Sequence, residues 1–173
     1  MPTRRPLLAA LLSVSFLGLP PLAAEARTTR AWSYSVLYDG ADLVVIATPT
    51  ATRMREEQAQ LPDIQQTDKN GKTGPVMAQR VETELRVVVV LKGKAQDAQD
   101  KATKTILLHH YTDIPNSGPS LDGPGFVAFD PKDRKQYLMF LKRGKNGQYV
   151  AVSGQTDPHF SIEELRDRDW RRG

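Results

Sequence analysis

The sequence predicts a mainly β domain: a small antiparallel barrel of five to six strands with short N- and C-terminal helices. Three observations carry that expectation. Apolar, β-branched runs recur at strand length, as in Leu43-Val44-Val45-Ile46 and Thr105-Ile106-Leu107-Leu108. Compact turn signals separate them, Asn146-Gly147 being the strongest. Strand-like and helix-like segments do not alternate, which excludes a doubly wound parallel sheet.

Taking the elements in order, Ala31 to Tyr38 places Trp32, Val36 and Leu37 on one side at helical spacing, and Asp39-Gly40 stops that helix. Asp42 stands where it can cap the helix exit or the turn. Asp42 to Thr48 is a strand buried on both faces, interrupted by Pro49 and resumed after a bulge over Thr50 to Arg53. Residues 54–75 are polar and poor in large apolar side chains, so they are expected as a long loop. Val76 to Leu91 is a long strand. Val81, Thr83, Leu85, Val87, Val89 and Leu91 face one side of it, and Arg80, Glu82, Glu84 and Arg86 the other. Its Val87-Val88-Val89-Val90 end reads as buried on both faces.

Lys92-Gly93-Lys94 is a turn and Ala95 to Lys104 a surface connection. Thr105 to Tyr111 is a strand, Asp113 to Gly125 an irregular loop, and Phe126 to Phe129 a short strand. Asp130 to Asp133 is a turn, Gln136 to Lys142 a core strand, and Gln148 to Val152 its hairpin partner. After a turn at Gly154 to Pro158, Ser161 and Glu164 form a capping box that opens the C-terminal helix. This set of strands and connections suits an OB-like Greek-key barrel.

Composition narrows the function classes. The 173 residues include 24 Lys+Arg, 20 Asp+Glu and no Cys, with 25% charged and 39% hydrophobic residues. Disulfide scaffolds, Cys-ligated zinc, iron–sulfur clusters and thiol nucleophiles are thereby excluded. A net charge of +4 is too mild to imply a dedicated nucleic-acid binder.

The N-terminus reads as an address. A basic start, Thr3-Arg4-Arg5, precedes the uncharged run Leu7 to Leu19, and Ala24-Glu25-Ala26 supplies a small-x-small cleavage pattern. Residues 1–26 are therefore expected as a signal peptide cut after Ala26, or after Ala24, with export to a periplasm or beyond. Arg4-Arg5 admits the twin-arginine route beside the general secretory one. The apolar run falls short of the about 20 residues a membrane span needs. Residues 27–165 then form one domain, expected as a monomer, and residues 166–173 a charged tail.

Ala41-Asp42-Leu43-Val44-Val45-Ile46-Ala47-Thr48-Pro49, Val90-Leu91-Lys92-Gly93, Tyr137-Leu138-Met139-Phe140-Leu141-Lys142 and Ser153-Gly154-Gln155-Thr156-Asp157-Pro158 stand in an order that resembles a family of small exported bacterial proteins of planctomycete-type genomes. The resemblance spans nearly the whole mature chain and implies no catalytic residue. The same order is similar to netrin-like and metalloproteinase-inhibitor OB barrels. Those inhibitors act through a disulfide-anchored N-terminal Cys, which this chain lacks.

Candidate chemistry is sparse. No Gly-x-Ser-x-Gly elbow or phosphate-cradling glycine loop occurs. Asp130 and Asp133 could pair as acid and base, but Asp-Pro-x-Asp is the pattern of a turn. His109 and His110 are adjacent on a strand, so their rings point to opposite faces. A zinc or copper site would have to draw on His109, His110, Asp113, Asp157 and His159 together. Gln155-Thr156-Asp157-Pro158-His159-Phe160 reads either as a connector satisfying its own backbone or as a recognition rim built with His110, Tyr111 and the 112–125 loop.

The expected function is an exported, non-catalytic binding module for a protein or glycan partner, with no cofactor. A metal-binding protein or metal-dependent hydrolase is the alternative. A third reading is an oligonucleotide- or polysaccharide-binding barrel, stacking on Tyr111, Tyr137 or Phe140 beside Lys92, Lys94, Lys101 and Lys104. Export makes nucleic acid the less expected partner.

Overall fold

The structure is a computed structural model that describes residues 32–67, 71–94, 104–114 and 125–166. The expected signal peptide, the 95–103 connection, most of the 113–125 loop and all but Arg166 of the charged tail lie outside these residues. The protein is mainly β. One short helix, α1 (Tyr34–Gly40), is followed by β1 (Leu43–Thr67), β2 (Thr73–Lys92), β3 (Thr105–Thr112), β4 (Gln136–Arg143), β5 (Tyr149–Ala151) and β6 (Ile162–Leu165).

The pairings return on themselves. β1 pairs with β2, β2 with β3, β3 with β5, β5 with β4, and β4 again with β1. Every pairing is antiparallel except the bridge Leu108↔Tyr149 between β3 and β5. Inside the circuit, alternate residues of several strands meet: Leu43, Val45 and Ala47, Leu85 and Val87, Ile106 and Leu108, Met139 and Leu141, and Tyr149. Several of these are fully buried, each contributing about 1.5–3 kcal/mol of transfer free energy. A smaller cluster on the other face of β1 and β4 seats Leu37 of α1 against Val44, Phe140 and Val152. Ser33 caps that helix through Val36 N. Leu37 is the core residue here, with Trp32 packed beside the cluster; Val36, expected on the buried side, is exposed.

The turns follow their chemistry. Asn146 and Gly147 have φ of 69° and 78°, the positive values that a two-residue hairpin turn needs, and β4 pairs antiparallel with β5 across them. Gly93 turns at φ 82°, and a Cβ there would collide with the Asp42 carbonyl oxygen. Asp130 accepts from Lys132 N and opens a short 3₁₀ turn at Pro131–Asp133, as expected of a turn. Asp42 does different work from the expected cap: its carboxylate accepts from Arg143 N at 2.7 Å and ties the start of β1 to the end of β4.

Four expectations are overturned. Over the described part of 54–75 there is no loop but a paired ribbon: β1 runs on to Thr67 and β2 starts at Thr73, with pairs from Met54↔Val81 to Thr67↔Thr73. Backbone pairing needs no apolar side chains, so polar composition hid the strands. The helix expected to open at Ser161 does not form over the described residues: Ile162–Leu165 pairs antiparallel with Gln136–Met139 as β6. An edge of β4 left open by β5 outweighs a local capping pattern. Phe126 to Phe129 joins no ladder, although Phe129 is buried against Tyr137 and His110. The valine-rich end of β2 is exposed rather than buried, Val88 to Leu91 being 40–50% accessible.

Candidate functional site

β3 sends its side chains to two environments. Leu108 and His110 face the core, while His109 and Tyr111 face outward, opposite Glu82 and Arg80 of β2. The outward face carries a ladder of ion pairs. Arg53 meets Glu84 at 3.1 Å, Arg80 meets Glu57 at 2.7 Å, and Arg55 holds Glu82. Beyond the ladder, Leu61 and Ala78 of the ribbon close over Tyr111, with Phe126 packed against them.

His110 is 3% exposed, and its Nε2 lies 2.9 Å from Thr83 Oγ1. Burial pushes its pKa down to about 4, so the ring is neutral near pH 7. The ring edge packs on Phe129 at 5.3 Å. It is a core group and does not reach the rim for which it is a sequence candidate. His109 is half-buried. Desolvation lowers its pKa, the Arg80 cation adds to that, and Glu82 opposes it.

The rim itself comes from an excursion of the chain. Val152 N donates to Phe140 O, and Phe140 N donates to Ser161 O, so residues 153–160 leave and rejoin the sheet at a single residue of β4. Three bonds close the excursion: Ser153 N to Ser161 Oγ, Ser161 Oγ to Ser153 Oγ, and Ser153 Oγ to Asp157 O. Gly154 turns at φ 95° and Pro158 is buried at the far side.

From this frame Gln155 reaches β3 and donates through Nε2 to His109 O at 3.2 Å. His159 is exposed and donates through Nδ1 to Gly125 O at 3.3 Å; a Cβ on Gly125 would collide with its ring. Thr156 and Asp157 are half-buried between these two anchors. The excursion, residues 125–129 and β3 are thus brought together. His110 stands behind them, and Tyr111 sits to one side under Leu61.

Four buried side-chain polar atoms have no hydrogen-bond partner: Arg80 Nε, His109 Nε2 and Gln155 Oε1 at this place, and His110 Nδ1 behind it in the core. Such atoms are few in native proteins, and each calls for a cause. Arg80 was not singled out by sequence reasoning. Its polar face on β2 was legible, but its place across from Tyr111 depends on strand register.

The expected metal set is not assembled. The His109 and His110 rings diverge as adjacent strand residues must, Asp113 is exposed beyond the end of β3, and His159 is occupied with Gly125. Among the described residues no three His, Asp or Glu side chains form a group that could hold a metal ion. No helix among them is long and apolar enough to cross a membrane. No protein-family model matches the chain, and no curated protein matches it.

Proposed function

We propose that this chain is an exported, non-catalytic binding module whose ligand is a glycan held where the 153–160 excursion meets β3. The observation that carries this reading is the trio of unpaired buried atoms at Arg80, His109 and Gln155. Gln155 Oε1 can only accept a hydrogen bond, Arg80 Nε can only donate, and His109 Nε2 can do either. The three atoms are buried, so a ligand reaches them only once the side chains over them shift; sugar hydroxyls both donate and accept and then pair with all three. The cations on this face are already matched by Glu57, Glu82 and Glu84, which disfavours a polyanion such as nucleic acid. A rigid excursion on a closed strand circuit is a common way to carry recognition. The basic, apolar, small-x-small N-terminus supports export.

Thermal unfolding across a panel of neutral and acidic oligosaccharides tests this. A ligand at one hundred times its Kd adds about 2.7 kcal/mol of stability. The shift is expected to vanish in Gln155→Ala and in His109→Ala while both variants stay folded. A shift that survives in both places the site elsewhere and overturns the reading.

A further inference from the structure

The excursion that forms the rim is held firmly at its base and lightly at its tip. At the base, Ser153 N donates to Ser161 Oγ at 2.7 Å, Ser161 Oγ to Ser153 Oγ at 2.9 Å and Ser153 Oγ to Asp157 O at 2.8 Å. Ser161 is fully buried, and the chain leaves and rejoins β4 at Phe140. Further out the bonds lengthen. Gln155 Nε2 reaches His109 O at 3.2 Å and His159 Nδ1 reaches Gly125 O at 3.3 Å, the long end of the range for such bonds. Gly154, at φ 95°, joins the firm part to the tip.

The tip closes against atoms that gain nothing from being covered. Arg80 Nε, His109 Nε2 and Gln155 Oε1 are buried there with no hydrogen-bond partner. Arg80 lies close enough to His109 for its cation to act on the ring, and Gln155 holds the His109 main chain. Gln155 itself is only half used, since its Nε2 donates while its Oε1 meets no donor. Each unpaired atom has lost water without replacement, and that cost falls on the closed arrangement alone. Returning water to them offsets the loss of the long Gln155–His109 bond, so the tip can part from β3 at far lower cost than the strands can part from one another.

We propose that Gln155 and Thr156 form a gate over this place, with Gln155 as its latch: the tip swings off β3 next to Gly154 while the serine-clasped base stays, baring His109 and Arg80, and closes again over what has entered. In what it admits, a glycan, the gate rests on the reading given above; as a motion of the chain it needs no ligand. Gating of this kind lets a site hold its polar atoms away from water and still exchange its occupant.

NMR relaxation dispersion and saturation transfer on the ligand-free, isotope-labelled protein test the gate. One exchange process is expected to be shared by the Gln155 and Thr156 amides, the Gln155 side-chain amide and the His109 ring, on the microsecond-to-millisecond scale of lid motions. The Leu43 to Ala47 amides, paired on both sides, serve as the quiet reference. In Gln155→Ala the shared process is expected to vanish, leaving the His109 ring at the shifts of the former minor state and its pKa raised toward the ordinary 6.5. Should Gln155→Ala fail to fold, the wild-type exchange decides alone. Absence of exchange common to the tip and His109 overturns the proposal, as does a shared process that survives unchanged in Gln155→Ala. Because no ligand is present, either failure leaves the glycan reading standing, whereas a flat thermal panel removes the glycan and leaves the gate.

Discussion

The two halves of β2 are built from the same kind of backbone and treated in opposite ways. From Arg80 to Val87 the strand has neighbours on both sides. Its inward residues Val81, Thr83, Leu85 and Val87 are buried, and its outward Arg80, Glu82 and Glu84 are paired with Glu57, Arg55 and Arg53 of β1. From Val88 to Leu91 its neighbour among the described residues is β1, and the side chains are 40–50% exposed. Hydrophobic sequence therefore does not decide burial by itself. What decides it is whether another element arrives to cover the residue, and β3 begins only opposite Arg86. The half with mixed composition is the covered one, and the purely apolar half is the more exposed.

That contrast can be broken most directly at Leu85, which is fully buried. Leu85→Ala should cost about 2–5 kcal/mol in urea unfolding. A loss below about 1 kcal/mol would mean the covered half is not a packed core.

Acid provides the next largest effect, through the buried histidine opposite this half of β2. The folded pKa of His110, about 4, lies below the ordinary value of 6.5, so the unfolded chain binds the proton first. Its contribution is present above pH 6.5 and lost as pH falls toward 4, by about 3 kcal/mol over that window. The lowered pKa of His109 works in the same direction. His110→Gln should flatten the dependence of the urea midpoint on pH between 4 and 6.5, and an unchanged slope would exclude this origin.

The ion-pair ladder is the smaller term. Arg55 is exposed, so Arg55→Gln should lower the urea midpoint only slightly, and less in high salt. At the exposed end, Val89→Ala should change stability by under about 0.5 kcal/mol. A loss at Val89 as large as that at Leu85 would erase the difference between the two halves.

Much of the fold was legible because local chemistry and the final structure agree there. The β4–β5 hairpin is fixed by Asn146-Gly147, and the inward face of β2 by strict alternation from Val81 to Val87. Legibility failed where tertiary pairing overrides local pattern. Ser161 and Glu164 spell a helix start, yet the Ser161 hydroxyl is consumed by Ser153 and Glu164 meets Lys135 beside the β4 edge. The ribbon of 54–67 with 73–81 is held by main-chain bonds, which leave no trace in side-chain polarity. At the rim, Gln155 and His159 stood out in the sequence because a proline-stiffened polar turn is visible locally. Arg80 and the burial of His110 were not visible, since both depend on which strand lies opposite.

The circuit of strands is joined unevenly, and this bears on the order in which it assembles. β1 and β2 share a long ladder, whereas β3 and β5 meet at the single bridge Leu108↔Tyr149. Hairpins such as β1–β2 and β4–β5 bring together neighbours in sequence and close early, while the β3–β5 seam joins distant segments and must wait. The same seam is where the closed ring would part first in the native state. Amide exchange along β3 should therefore outpace that of Leu43 to Ala47, which are paired on both sides. Gln155, which bonds His109 O just past the seam, would then serve as a latch as well as a ligand group.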